Sequence, residues 1–371
     1  MKIDPIYLFF LIYFSIGAIL SNYNFVIRSF KNRNLFKIVS DSYLLFGLIF
    51  LIFFIGLRDE IGGDWDVYLR NYYRAGTDEP TLIQFVISGY KGDIIYRALE
   101  AISYAFQGKL YFINMVSSIL FIYALSIFSR PLDNRFLFFT LSFPYLISIV
   151  AMGYSRQSIA LAFLLIAYHF LTKNKTLKMF FSSTIAVLLH RASSLFLPLI
   201  FYIRFVRQKY IFVLIMMLFI LLGYTYAEQI NLLMRNYSSN FVKSNGVILR
   251  TFILASSGVV YFLIRNKFYK SYGGLRRAFF DLSSVTSILL FLAALFLPLL
   301  STAIDRAAIF FVPFGIFIFS SFAYFFNISS GVRILIILPL IIGAFLYSVL
   351  WAEFSPFSEY WNPYNNILFQ F

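Results

Sequence analysis

Four short polar clusters, each set between apolar runs, carry the side chains in this sequence that could do chemistry. They begin at Arg58, Arg156, His190 and Asp305. An arginine guanidinium binds phosphate oxygens through two parallel hydrogen bonds, and a histidine can take a proton from a hydroxyl near neutral pH. An ionisable residue at the end of an apolar run is costly unless it is paired or lies in a wet cavity. The clusters therefore favour a pocket for an anionic, lipid-embedded substrate such as a polyprenyl diphosphate.

Two carboxylates in the first cluster raise the alternative of a metal site. Asp64-Trp65-Asp66 has the D-x-D spacing with which a sugar transferase can chelate a hard cation. The chain has no cysteine and only two histidines, and no nucleotide-sugar domain surrounds the motif. We therefore predict no metal site and no cofactor. Trp65 also fits a simple anchor at the membrane interface.

Two further polar sites have open or structural interpretations. His169 lies near the opposite end of its apolar run, just before Lys173, and we interpret it as a packing or interfacial residue. Asp305 and Arg306 either form an ion pair or supply a third arginine to the same pocket as Arg156.

The elements that must position these clusters are membrane helices. The chain has 371 residues, of which 61% are hydrophobic and 13% charged, which excludes a disordered chain and disfavours a soluble enzyme. We predict an all-α, polytopic membrane protein with about 12 spans (range 10–13), forming a single transmembrane domain over residues 1–371. The predicted spans are 5–23, 39–57, 110–129, 136–154, 157–172, 178–190, 193–206, 210–227, 247–264, 279–300, 307–326 and 333–352.

The net charge of +15 indicates orientation. When the loops are grouped alternately, one set carries essentially all of this excess and the other set, which includes both termini, is close to neutral. Cytoplasmic loops of membrane proteins are enriched in Lys and Arg. We therefore predict both termini and all four polar clusters on the outer side, and no nucleic-acid partner.

The outer side contains the longest polar segments. Residues 58–109 form a predicted outer loop with amphipathic or interfacial helices, one of them over 93–107, where Arg97 and Glu100 lie. Residues 353–371 form a predicted outer tail, rich in aromatic residues, that caps this face.

The ordered motifs resemble a known family. Arg58, Gly63-Asp64, Tyr68, Arg156-Gln157, His190 and Asp305-Arg306 together look like the EpsG family of Wzy-type polysaccharide polymerases. The resemblance implies a GT-C-like helical bundle in the bacterial inner membrane, with an active site that faces the periplasm. It also implies polymerisation of undecaprenyl-diphosphate-linked repeat units of O-antigen (lipopolysaccharide), capsule or exopolysaccharide, in contact with membrane lipids and a chain-length regulator. The family pattern assigns functional positions to Asp64, Tyr68, Arg156, Gln157, His190 and Arg306, whereas Asp66 and Arg191 have no counterpart in it.

The mechanism that we expect is a glycosyl transfer in which arginines neutralise the leaving diphosphate. Arg156 and Arg191 are the candidates for the donor diphosphate, and Arg306 binds there or at the acceptor. His190 or Asp64 is the base that takes the proton of the attacking hydroxyl. The predicted catalytic residues are His190, Asp64 and Arg156; the predicted substrate-binding residues are Arg58, Tyr68, Gln157, Arg191, Asp305 and Arg306.

Two other functions remain compatible with the sequence. A ligase that moves glycan to a lipid A core or a protein would share the arginine pocket. A transporter or flippase of lipid-linked sugars would instead place ionisable residues near the membrane midplane, whereas the charges of this chain lie at the ends of its apolar runs.

Overall fold

The computed structural model of the chain describes residues 3–22, 33–77, 81–87, 93–205, 217, 244, 246–272 and 274–369. These residues are helical apart from short connections. No strand forms among them, and their β-type pairing consists of an isolated antiparallel bridge between Arg58 and Asn366. The all-α prediction is therefore confirmed for the described residues.

The helices are numbered here in chain order. They are α1 (Pro5–Leu20), α2 (Arg33–Gly56), α3 (Trp65–Thr77), α4 (Leu82–Ile87), α5 (Ile94–Ala105), α6 (Lys109–Ser129), α7 (Arg135–Ser142), α8 (Ser155–Thr172), α9 (Thr176–Leu189), α10 (Leu197–Phe205), α11 (Val247–Tyr272), α12 (Leu275–Phe296), α13 (Ser301–Ile309), α14 (Val312–Phe322) and α15 (Ser330–Phe354). Helix α7 continues as a π-helix over Phe143–Ala151, where Pro144 lacks the N–H that a regular α-helical hydrogen bond needs.

Five described segments are long and apolar enough to cross a membrane. They are Lys37–Gly56, Lys109–Ser129, Val247–Tyr272, Leu275–Phe296 and Ser330–Phe354. A sixth is possible if the bent pair Pro298–Ile309 and Val312–Phe325 counts as one span. The chain is therefore a membrane protein by helix length and composition, and the predicted number of about 12 spans exceeds what these helices support.

Several predicted spans are shorter or more broken than the sequence indicated. The apolar helices Pro5–Leu20, Arg135–Ala151 and Thr176–Leu189 have 10–17 residues, whereas a membrane span needs about 20. The predicted span 193–206 becomes a 3₁₀ turn over Arg191–Phe196 followed by the short α10. The predicted span 307–326 bends by 57° before Val312, next to Pro313. The predicted span 210–227 lies outside the described residues except for position 217.

The chain packs as two compact units, which we describe separately. The first comprises Met1–Ile166, Thr184–Arg191 and Phe326–Phe371; the second comprises Ala167–Ser183 and Ala192–Phe325.

The first unit has an aromatic core between α1, α2 and the π-helical segment. The ring of Phe143 stacks on Phe10 at 5.6 Å and contacts Phe54 at 6.1 Å, and Phe14 stacks on Phe139 at 5.6 Å. Aromatic pairs at these distances add to the stability that burial alone provides.

Residues after α15 return to this core and close it. Trp361 is 1% exposed, and its indole Nε1 donates a hydrogen bond to the carbonyl of Ser148 at 2.7 Å. Asp4 binds the returning segment, since its backbone N–H donates to Asn362 Oδ1 and its Oδ2 accepts from the N–H of Tyr364. Residues 4 and 364 therefore lie on one side of the first unit, as the prediction that both termini share a side requires.

The second unit is built on the long pair α11 and α12. A glycine permits their close approach, because a Cβ on Gly258 would lie 2.8 Å from the carbonyl oxygen of Ser284. Asp281 joins the two helices by accepting two hydrogen bonds from Arg265, at 2.8 and 3.0 Å, and further bonds from Tyr269 and Tyr261. These bonds hold the charged end of the helix pair together.

Candidate functional site

Helix α5 presents one polar face to the interior of the first unit. Asp93, Tyr96, Arg97 and Glu100 follow a spacing of three, four and seven residues, which places them on one side of a helix. Their exposed fractions are 7%, 2%, 4% and 2%, whereas Ile94 and Ile102 are 47% and 43% exposed. The amphipathic segment predicted over 93–107 therefore forms, with its charged side facing the protein and isoleucines on its outside. Charged groups near lipid take this inward orientation because burial among polar partners costs less than exposure to hydrocarbon.

Arg156 lies at the start of α8, beside two tyrosine rings that contact each other at 5.7 Å between their centres. Its guanidinium carbon is 5.4 Å from the ring centre of Tyr68, on α3, and 5.9 Å from that of Tyr96, on α5. The Tyr68 hydroxyl in turn donates to Asp64 Oδ2 at 3.4 Å. Aromatic faces attract a guanidinium without using its N–H groups. The Tyr68 side chain also forms a hydrogen bond with Arg156. This cradle of two rings therefore holds a positive charge, which suits an oxyanion.

His190 pairs with a carboxylate that the sequence analysis did not single out. Helix α9 ends at Leu189, and the Nδ1 atom of His190 lies 3.4 Å from Asp93 Oδ2. The other carboxylate oxygen, Oδ1, accepts the backbone N–H of Arg191 at 3.1 Å and lies 3.6 Å from its Nε. An ionised carboxylate favours the proton on Nδ1, so the basic lone pair is on Nε2. The His190 side chain is 15% exposed, and that of Arg191 is 76% exposed.

Glu100 is a second carboxyl that the sequence analysis left without a role. Burial raises its pKa to about 7, although Arg156, Arg97 and a hydrogen bond from Asn71 favour the charged form. A carboxyl with this pKa changes protonation near neutral pH. The spacing of Arg97 and Glu100 along α5 was the available signal, but it did not reveal which way that face points.

Arg58 is enclosed by protein acceptors. It is 1% exposed, and its guanidinium donates to the carbonyls of Ile55 and Ile61 and, at 3.0 Å each, to Asn114 Oδ1 and Ser155 Oγ. Burial lowers its pKa to about 10, so it remains protonated at neutral pH. These bonds join the end of α2 to α6 and to the start of α8, directly before Arg156. The contacts give Arg58 a structural role, and its binding to substrate stays a prediction.

Gln157, the residue after Arg156, is also buried. Its exposed fraction is 7%, and its Oε1 atom accepts no hydrogen bond from the described residues. The Nδ2 atom of Asn114 is also buried and donates no hydrogen bond to the described residues. A buried polar atom in this state usually marks a ligand, a water or strain, which is compatible with the predicted binding role of Gln157.

The fourth cluster belongs to the second unit. Asp305 accepts two hydrogen bonds from Arg250, at 2.7 and 2.8 Å, and one from Ser244 Oγ at 2.8 Å. Arg306, on α13, is exposed. The structure thus gives Asp305 an ion pair, one of the two interpretations that the sequence allowed, with a partner 55 residues away rather than Arg306. Substrate binding by Asp305 and Arg306 stays a prediction.

The structure brings most of the predicted site residues together in the first unit. Arg156, Tyr68 and Asp64 are in contact, and Asp93 lies within electrostatic range of Arg156 while it pairs with His190 and Arg191. Among the described residues, no three His, Asp or Glu side chains form a group that could hold a metal ion. Asp66, the other half of the D-x-D motif, is exposed on α3.

Comparison with known proteins gives one match. A family model described as the EpsG family matches residues 41–366. Comparison with curated proteins and with solved structures finds no match. The matched range includes all four polar clusters and the whole of α5.

Proposed function

Since the chain belongs to the EpsG family, we propose that it is a membrane glycosyltransferase that polymerises undecaprenyl-diphosphate-linked oligosaccharide repeat units. The coarser conclusion, a membrane protein of polysaccharide biosynthesis, follows from the family and from the long apolar helices. We further propose that it resides in the bacterial inner membrane and works on the periplasmic or outer face. Its products would be O-antigen, capsule or exopolysaccharide, and a chain-length regulator is a proposed partner.

One observation carries the proposal: a guanidinium that faces two tyrosine rings lies in the same unit as a histidine–carboxylate pair. Arginine supplies the charge that a leaving diphosphate needs, and an oriented histidine supplies the base for a hydroxyl nucleophile. Asp93 links the two groups, because it bonds to His190 and lies within electrostatic range of Arg156.

In the proposed reaction, the acceptor sugar hydroxyl attacks the anomeric carbon of the donor glycan. The new oxygen–carbon bond forms as the bond from that carbon to the diphosphate oxygen breaks, and the diphosphate leaves with the electron pair. Nε2 of His190 accepts the hydroxyl proton, and Asp93 stabilises the resulting imidazolium. Arg156 and Arg191 stabilise the charge that develops on the diphosphate. Asp64, the other predicted base, is assigned here to orienting Tyr68 through their hydrogen bond.

The test of this function is reconstitution of the purified full-length protein in nanodiscs with lipid-linked repeat units alone. A polymer ladder supports the proposal. No reaction until a second acceptor is added would identify a ligase, and translocation without new bonds would identify a transporter; both results contradict polymerisation.

The role of Arg156 is tested in the same assay. Arg156→Ala should abolish polymer and leave single repeat units, and Arg156→Lys should also be poor because lysine offers only a point charge. Arg70→Ala, at an exposed arginine on α3, is the matched control and should polymerise normally. Long chains from Arg156→Ala at native expression would contradict the assignment.

A further inference from the structure

Glu100 is a buried carboxyl that the proposed reaction does not use. It is 2% exposed, and its Oε1 atom accepts no hydrogen bond from the part of the chain that the structure describes. A fully ionised carboxylate would be expensive there, because each of its oxygens seeks hydrogen-bond donors. The neutral acid needs fewer partners, so the surroundings of Glu100 suit a group that gains and loses a proton.

The groups around Glu100 determine which interactions change when its carboxyl gains or loses a proton. Asn71 on α3 forms a hydrogen bond with the carboxyl, and Arg156 on α8 and Arg97 on α5 attract its charged form. Asp93 opposes that form, and Tyr96 lies within electrostatic range. The described residues of α4 carry no charge, and Lys109 at the start of α6 is exposed.

The two arginines differ in what they can offer a ligand. The Arg97 guanidinium carbon lies 4.3 Å above the ring of Phe85, whereas Arg156 lies in the cradle of Tyr68 and Tyr96. An ionised Glu100 would attract the same positive charge on Arg156 that an incoming diphosphate needs, and it would repel the diphosphate itself. Protonation of Glu100 removes both effects.

We propose that Glu100 is a positioning residue of the donor site, which binds a diphosphate tightly through Arg156 only when the Glu100 carboxyl is protonated. This inference rests on the proposed function. At a pH above about 7, diphosphate binding then takes up close to one proton at Glu100, and the proton returns to solvent when the diphosphate leaves. The raised pKa of about 7 supports this, since the free site exchanges that proton near neutral pH.

The test is calorimetric titration of the full-length protein in nanodiscs with a short-chain prenyl diphosphate sugar. This probe is a diphosphate diester, so its own phosphates do not titrate near neutrality. Titrations at about pH 6 and about pH 8, in two buffers of different ionisation enthalpy, count the protons that binding takes up. For a site that needs Glu100 protonated, the competent fraction falls from about nine-tenths to about one-tenth, so wild-type affinity should fall about tenfold.

Three variants make the result specific. Glu100→Gln should lose the proton uptake and bind about equally at both pH values, while Glu60→Gln, at an exposed glutamate, should behave as wild type. His190→Gln should keep the pH dependence, which separates Glu100 from the histidine. Asn71→Ala removes a hydrogen bond that stabilises the ionised form, so it should move the fall in affinity upward by up to about one pH unit.

Proton uptake and pH dependence that persist in Glu100→Gln would overturn the inference. If that variant does not fold, an unmoved transition in Asn71→Ala does the same. Wild-type protein that binds with no pH dependence would also refute the role of Glu100 and leave the donor site intact. Wild-type protein that fails to bind the probe at every pH would instead contradict the proposed donor site, and this inference with it.

Discussion

Replacing Asp93 by asparagine separates the positioning of His190 from the folding of α5. Asparagine has the same shape, and its Oδ1 can still accept the N–H of Arg191, which Asp93 accepts at 3.1 Å. Asp93 also precedes the first turn of α5 without a side-chain capping bond, and asparagine is equally favoured there. The substitution removes the Oδ2 acceptor that lies 3.4 Å from His190 Nδ1, together with the negative charge that also faces Arg191 and Arg156.

The expected loss follows from the tautomer. An amide NH₂ facing Nδ1 donates to it, which moves the ring proton to Nε2 and takes away the base. General-base catalysis contributes about 10²–10⁴ in rate, or about 2.7–5.4 kcal/mol of transition-state stabilisation. We expect Asp93→Asn to lose that much in the initial rate of polymer formation, with an unchanged melting temperature.

A double-mutant cycle with His190→Gln tests the reasoning. If Asp93 acts mainly through His190, then Asp93→Asn costs much less in the His190→Gln background than alone, and the remainder reports its charge beside Arg191 and Arg156. Asp66→Asn, at the exposed carboxylate of the D-x-D motif, is the matched control and should retain activity. Equal losses from Asp93→Asn in both backgrounds, or near wild-type activity of the single variant, would refute the histidine–carboxylate assignment.

Three further predictions concern stability in nanodiscs. Folding raises the pKa of Glu100 from 4.5 to about 7, so the ionised carboxyl lowers the stability of the wild type as the pH rises through that window. Glu100→Gln should therefore be more stable than wild type by about 3 kcal/mol at pH 8 and about equal to it at pH 4. Equal melting temperatures of the two proteins at pH 8 would contradict this. Arg58→Met removes the guanidinium donor from two carbonyls, Asn114 Oδ1 and Ser155 Oγ. Asn114 Oδ1 keeps its hydrogen bond from Ser155, so the free energy of unfolding should fall by about 1–3 kcal/mol for each other acceptor left unpaired, with a lower melting temperature. An unchanged melting temperature with a raised KM would instead support substrate binding by Arg58. Trp361→Phe removes the donor to the Ser148 carbonyl and should lower the free energy of unfolding by about 1–3 kcal/mol. Thermal unfolding measures this against the control variant Tyr360→Phe, since Tyr360 is 46% exposed. Equal melting temperatures of the two variants would argue against that bond.

The sequence predicted those helices that an uninterrupted local run of apolar residues specifies. The spans 39–57, 110–129 and 333–352 match Lys37–Gly56, Lys109–Ser129 and Ser330–Phe354 within a few residues, because an uninterrupted apolar run specifies both the helix and its length. Among the described residues the count of about 12 spans is not confirmed: five or six helices are long enough, whereas apolar runs such as 178–190 and 193–206 form helices shorter than the roughly 20 residues that a bilayer requires.

The site was predictable only in part, because its pairings join distant residues. His190 and Asp93 are 97 residues apart, and Arg250 and Asp305 are 55 apart. No local sequence pattern indicates which carboxylate contacts which basic side chain. Glu100 was visible as a charge on an amphipathic segment, but its importance lies in which side of α5 faces the protein, and periodicity does not distinguish inside from outside when both neighbours and lipid are apolar.

The return of residues 355–367 to the first unit has a consequence for biogenesis. That unit needs Trp361 against Ser148 and Tyr364 against Asp4, so its first 166 residues are synthesised long before the segment that completes them. The second unit is nearly continuous over residues 192–325, so most of its partners emerge together. During translation, from the amino to the carboxyl end, the second unit can finish packing while the first is still open. A ribosome that stops before residue 361 would therefore release a protein whose first unit lacks its closing contacts, which quality-control proteases can recognise and remove.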